Sequence, residues 1–109
     1  MDKKKIGQYE GFKLTYVLVN HKVEDYDKWK PLYDEGIDKG MLKDMGAKVS
    51  SVFRTAEDPN HLVTLTQFEN LESAKNFAES DELRTAMQKA GVKGKPEIYF
   101  LEEIERRAI

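Results

Sequence analysis

The chain has 109 residues, with 20 acidic and 18 basic side chains, a net charge of −2 and no cysteine. A chain of that length makes one domain, buries about two-thirds of its unfolded surface and needs no covalent staple. The composition excludes disulfides, thiolate metal sites and cysteine nucleophiles, and the near-balanced charge argues against nucleic acid, which needs a concentrated basic face.

No apolar run approaches the ~20 residues of a membrane span, so no membrane partner is expected. The basic start, Met1-Asp2-Lys3-Lys4-Lys5-Ile6-Gly7, is not followed by the apolar core of a signal segment. Residues 1–11 are expected to form a flexible N-terminal segment and residues 12–109 a single domain. A reducing, cytoplasmic location fits a chain without cysteine.

Phe12 to His21 reads as the first strand, with Leu14, Tyr16 and Leu18 on one face and Thr15, Val17 and Val19 on the other. Asp25 is a good N-cap for a helix whose apolar stripe runs through Trp29, Leu32, Tyr33, Gly36, Ile37, Gly40 and Met41. Pro31 removes a backbone donor from that helix, Gly36 predicts a break, and Gly46 is a natural stop. Lys48 to Thr55 and Leu62 to Glu69 read as a hairpin around Ala56-Glu57-Asp58-Pro59-Asn60-His61. Asn70 and Ser80 cap two successive helical stretches, burying Leu71, Ala74, Phe77 and Ala78, then Leu83, Ala86, Met87 and Ala90. Gly91 to Pro96 breaks the pattern, and Glu97 to Glu102 is the last strand.

The order βαββαβ predicts an α+β, ferredoxin-like fold, a four-stranded antiparallel sheet with two helices on one face. A hairpin turning about Asp58 sets Phe53 opposite Val63, Ser51 opposite Leu65 and Val49 opposite Gln67. The other face then pairs Arg54 with Leu62, Val52 with Thr64 and Ser50 with Thr66. The first set is the more apolar and is expected under the helices. The second set, with its small hydroxyls, is expected to face a cavity across a dimer axis.

Three blocks carry a resemblance: His21-Lys22-Val23-Glu24-Asp25-Tyr26-Asp27-Lys28-Trp29-Lys30-Pro31, Phe53-Arg54-Thr55-Ala56-Glu57-Asp58-Pro59-Asn60, and Ala90-Gly91-Val92-Lys93-Gly94-Lys95-Pro96-Glu97. Together they resemble the antibiotic biosynthesis monooxygenase-like family of the dimeric α+β barrel superfamily. The resemblance implies a homodimer whose two sheets pack as a barrel, with pockets between sheet and helices. Members of that family include cofactor-free oxygenases of polycyclic phenols and haem-degrading enzymes. The haem-degrading members place a histidine on the second helix, and the stretch from Asn70 to Ala90 has none. No cofactor and no metal site are therefore expected.

A cofactor-free oxygenase needs an enclosed pocket, a base and a way to hold an anion. His21 is the candidate base, because its ordinary pKa lies near neutrality. Trp29 and Tyr33 are candidate pocket walls, Arg54 a candidate anion partner, and Ser50, Thr64 and Thr66 further pocket candidates. Asn20 is a weaker anion partner, since adjacent strand residues point to opposite faces. Each has a plain alternative: a satisfied structural histidine, core aromatics, a surface ion pair for Arg54. Tyr16 and Tyr99 are expected in the core with their hydroxyls at an edge. The expected function is a cofactor-independent monooxygenase or cyclase-like enzyme acting on a hydrophobic aromatic molecule. The alternative is a non-enzymatic dimer that binds a small apolar ligand or serves a structural role.

Overall fold

The computed structural model describes residues 14–109; the expected flexible segment 1–11 lies outside them. Four strands, β1 (Thr15–Val23), β2 (Ala47–Arg54), β3 (His61–Phe68) and β4 (Val92–Glu102), pair in the order β2-β3-β1-β4. All three pairings are antiparallel. Four helices lie between them: α1 (Tyr26–Asp38), the single turn α2 (Met41–Asp44), α3 (Leu71–Ala78) and α4 (Asp81–Lys89).

Local chemistry sets the helix limits. Asp25 accepts the Asp27 N–H at 2.9 Å, Asn70 accepts the Ser73 N–H at 2.8 Å, and Ser80 Oγ accepts the Leu83 N–H at 3.1 Å. Each cap satisfies a donor that has no partner inside the helix. α1 runs through Pro31 and Gly36 without the expected break. The break falls at Gly40, whose φ of 79° is open to glycine and strained for other residues. Gly46, at φ 97°, turns the chain into β2.

β4 starts five residues earlier than expected. Val92 and Lys93 already pair with Val23 and Lys22, and the register then jumps so that Glu97 pairs with Asn20. Four steps on β4 therefore face two on β1. Gly94, at φ 68°, and Pro96, which has no N–H to donate, sit in that bulge.

The β2–β3 register is the one expected, with Phe53 opposite Val63, Ser51 opposite Leu65 and Ser50 opposite Thr66. The faces are exchanged. On β1, Thr15, Val17, Val19, His21 and Val23 are buried, and on β3, Leu62, Thr64, Thr66 and Phe68. The hydroxyl-bearing set therefore lies under the helices. The more apolar set faces away in three rows across the sheet: Phe53–Val63–Asn20–Glu97, Ser51–Leu65–Leu18–Tyr99 and Val49–Gln67–Tyr16–Leu101. Val49 is 59% exposed, Phe53 54% and Tyr99 51%. Tyr16 and Tyr99 thus belong to this open face, not to the core; Tyr16 accepts from Gln67 Nε2 and donates to Glu103, both at 3.0 Å.

The core under the helices forms two clusters. Val17, Val19, Phe68, Ala74 and Phe77 make one, with the Phe68 and Phe77 rings 5.0 Å apart. Val23, Trp29 and Leu62 make the other. The start of α1 is tied to the hairpin turn by the Tyr26 N–H, which donates to Asn60 Oδ1 at 2.8 Å. No helix among the described residues is long and apolar enough to cross a membrane.

Candidate functional site

A cavity of about 610 Å³ opens between sheet and helices and is lined by residues of both core clusters. Its floor is Val19 and His21 from β1 with Thr64 and Thr66 from β3; Trp29 and Tyr33 of α1 form a wall. Met41, Leu42, Met45, Phe77, Leu83 and Met87 supply most of its remaining apolar surface, and Glu35, Lys39, Asp81, Glu82 and Lys89 stand at its exposed edge. That volume and composition suit a small apolar or aromatic molecule.

His21 reaches the cavity because β1 alternates and odd-numbered positions face the helices. It is 6% exposed, and its buried Nδ1 has no hydrogen-bond partner. Burial lowers its pKa below the ordinary value, the Val19 carbonyl opposes this, and His61 adds to it. The ring is therefore neutral at neutral pH, in an apolar setting. Its centroid lies 5.9 Å from that of Trp29.

Trp29 stacks on Tyr33 at 4.8 Å with 17° between planes, and Tyr26 flanks it at 6.2 Å. Helical spacing puts these aromatics on one face of α1. The Tyr33 hydroxyl is hydrogen-bonded to Ser50 Oγ, which is 3.0 Å from Thr66 Oγ1. Burial pushes the Tyr33 pKa up, against the opposing effects of Ser50 and Lys30, so the phenol keeps its proton.

Of the sequence candidates, His21, Trp29, Tyr33, Thr64 and Thr66 come together around the cavity. Ser50 stands behind it and reaches it through Tyr33 and Thr66. Arg54 lies outside: its guanidinium sits over the Tyr26 ring, 4.8 Å from the centroid, and is held there by cation–π attraction. Asn20 is on the open face, where it donates to Glu97 at 2.9 Å and accepts from His61 Nε2 at 2.6 Å. Met41, Leu83 and Met87 of the wall fall on the apolar helix stripes, where a wall and a core residue carry the same periodic signal, and Leu42 and Met45 fall outside those stripes. No group of three or more metal-ligating side chains occurs among the described residues.

No protein-family model matches the chain, and no curated protein does. Solved structures do share its arrangement. A provisionally named antibiotic biosynthesis monooxygenase from Bordetella bronchiseptica superposes with a TM-score of 0.70 at 10% identity, over 85% of this chain and 99% of that one. Another from Caulobacter crescentus CB15 gives 0.67 at 16% identity, over 92% and 99%. SnoaB, a cofactor-independent oxygenase from Streptomyces nogalater, gives 0.64 at 6% identity, over 89% and 97%. The chain has the ferredoxin-like α+β fold of these antibiotic biosynthesis monooxygenase-like structures.

Proposed function

We propose that the protein is a homodimer that encloses a hydrophobic aromatic molecule in each helix–sheet cavity and oxidises it with molecular oxygen, without a cofactor. The observation that carries this reading is His21 on the floor of an otherwise apolar cavity, held neutral by burial. An electron-rich phenol or anthrone becomes reactive toward oxygen once it loses a proton. The His21 imidazole takes that proton, and the apolar walls exclude water from the anion. The carbanion carbon then bonds one oxygen atom of O₂, and His21 returns the proton to the resulting peroxide. Loss of water leaves a carbonyl. One anthrone and one O₂ thus give one anthraquinone and one water. The likeness to SnoaB supports the oxygenase class, and the open apolar sheet face supports the dimer.

The test is oxygen uptake with anthrone, followed by quinone formation. His21→Ala is expected to lower kcat by roughly 10²- to 10⁴-fold. A variant with full activity removes His21 as the base. A second reading, a dimer that binds the same class of molecule without turnover, is favoured by one feature. Nδ1 has no hydrogen-bond partner, so no carboxylate orients the ring through it, as a general base usually requires. Anthrone recovered unchanged from a saturated complex in air supports that reading and refutes the oxygenase.

A further inference from the structure

The hydroxyls of Tyr33, Ser50 and Thr66 form a chain that protein groups alone do not saturate. Two hydrogen bonds link them, Tyr33 to Ser50 and Ser50 to Thr66. Three hydroxyls carry three protons, and two links consume two. One O–H is left to donate, and Tyr33 and Thr66, the two ends, both line the cavity. A phenol is a stronger donor than an aliphatic hydroxyl, so the favoured direction runs from Tyr33 to Ser50 to Thr66. The uncommitted donor is then Thr66, which is 4% exposed on the cavity floor. Each upstream bond polarises the next and strengthens it as a donor.

The position of Thr66 relative to His21 gives the ligand its shape. Thr66 pairs with Val17, and His21 lies four residues further along β1. That is about 13 Å along the sheet at the usual rise per residue. The floor therefore offers a donor at one end and a proton acceptor at the other, with Val19 and Thr64 between them.

We propose that Thr66 Oγ1 is the donor that recognises a carbonyl or phenolate oxygen of the cavity's ligand, and that Ser50 and Tyr33 are positioning residues acting through it. The ligand class is a flat, largely apolar molecule with an acceptor oxygen at one end and its acidic hydrogen toward the other. The assignment rests on the helix–sheet cavity being the ligand site.

Fluorene and 9-fluorenone test it. They are nearly identical in shape, and the ketone adds one oxygen that can only accept, so the lone pair on His21 Nδ1 cannot favour it. Equilibrium dialysis of both against the full-length protein gives the ratio of their dissociation constants, fluorene over fluorenone. Thr66→Val is expected to lower that ratio about tenfold, the usual effect of one buried hydrogen bond of this kind. Ser50→Ala, which cuts the chain behind Thr66, is expected to lower it about threefold and serves if Thr66→Val does not fold. General damage to the cavity moves both constants together and leaves the ratio unchanged. A ratio unaltered by either variant, with both probes still bound, overturns the donor assignment alone. If neither probe binds the wild-type protein, the cavity reading falls and the assignment falls with it.

Discussion

Phe53→Glu tests the open sheet face. Phe53 is 54% exposed, on the rows that carry Val49, Leu65, Tyr99 and Leu101. A phenylalanine side chain presents roughly 200 Å², so a partner covering all that is exposed removes about 110 Å² from water. At about 25 cal/mol per Å² that contributes ~2.7 kcal/mol. A twofold dimer contains the residue twice, giving ~5 kcal/mol, or about 10⁴-fold in the dissociation constant. Glutamate forfeits this and sets a carboxylate against apolar surface, which raises the loss further. The protomer itself changes little, because Phe53 belongs to neither core cluster. Light scattering at micromolar concentration is expected to give twice 12.6 kDa for the wild type and 12.6 kDa for the variant, with matching far-ultraviolet circular dichroism. A variant that stays dimeric places the interface elsewhere, and a monomeric wild type refutes the face-to-face arrangement.

Trp29→Ala is expected to cost about 3 kcal/mol, the low end for a large aromatic because one side already borders the cavity; the urea midpoint followed by circular dichroism checks it. Burial lowers the His21 pKa, so the unfolded chain takes up the proton first. Its contribution is therefore complete above the unfolded value near 6.5 and declines as pH falls below it, by at most about 1.4 kcal/mol per unit. His21→Phe is expected to flatten that acid limb in urea titrations at pH 7.5 and 5. Gly46→Ala is expected to cost more than Gly40→Ala. Both glycines have positive φ, but only at Gly46 does an added Cβ meet neighbours, Cβ and Oγ of Ser73 at 3.3 Å. The backbone part is about 1–2 kcal/mol in each case, and the difference in Tm isolates the Ser73 clash.

The hairpin register was legible because the turn residues between Thr55 and His61 fix which residues oppose one another. The choice of face was not. Apolarity favoured Val49, Phe53, Val63 and Leu65 as the covered set, and these lie on the open side. Ser50, Thr64 and Thr66 face the helices because the helices leave a cavity there. A face bordering a cavity tolerates hydroxyls, so apolarity alone does not decide which side the helices cover. The start of β4 was hidden for a related reason: Gly91 to Pro96 reads as loop, yet a bulge keeps Val92 and Lys93 in the ladder. His21, Trp29 and Tyr33 were found from residue type and helix phase. The Tyr33–Ser50–Thr66 chain joins three elements, and no local pattern encodes it.

Trp29 is the chain's one tryptophan, and it stands between His21 and Tyr33 in the cavity wall. Excited beyond the absorption of its tyrosines, the protein therefore emits from a single indole at the candidate site. Protonated imidazole quenches a nearby indole, and a bound aromatic displaces the water that shifts its emission to the red. One unlabelled emission spectrum thus reports both the charge on His21 and the filling of the cavity, and the molecule carries its own optical gauge.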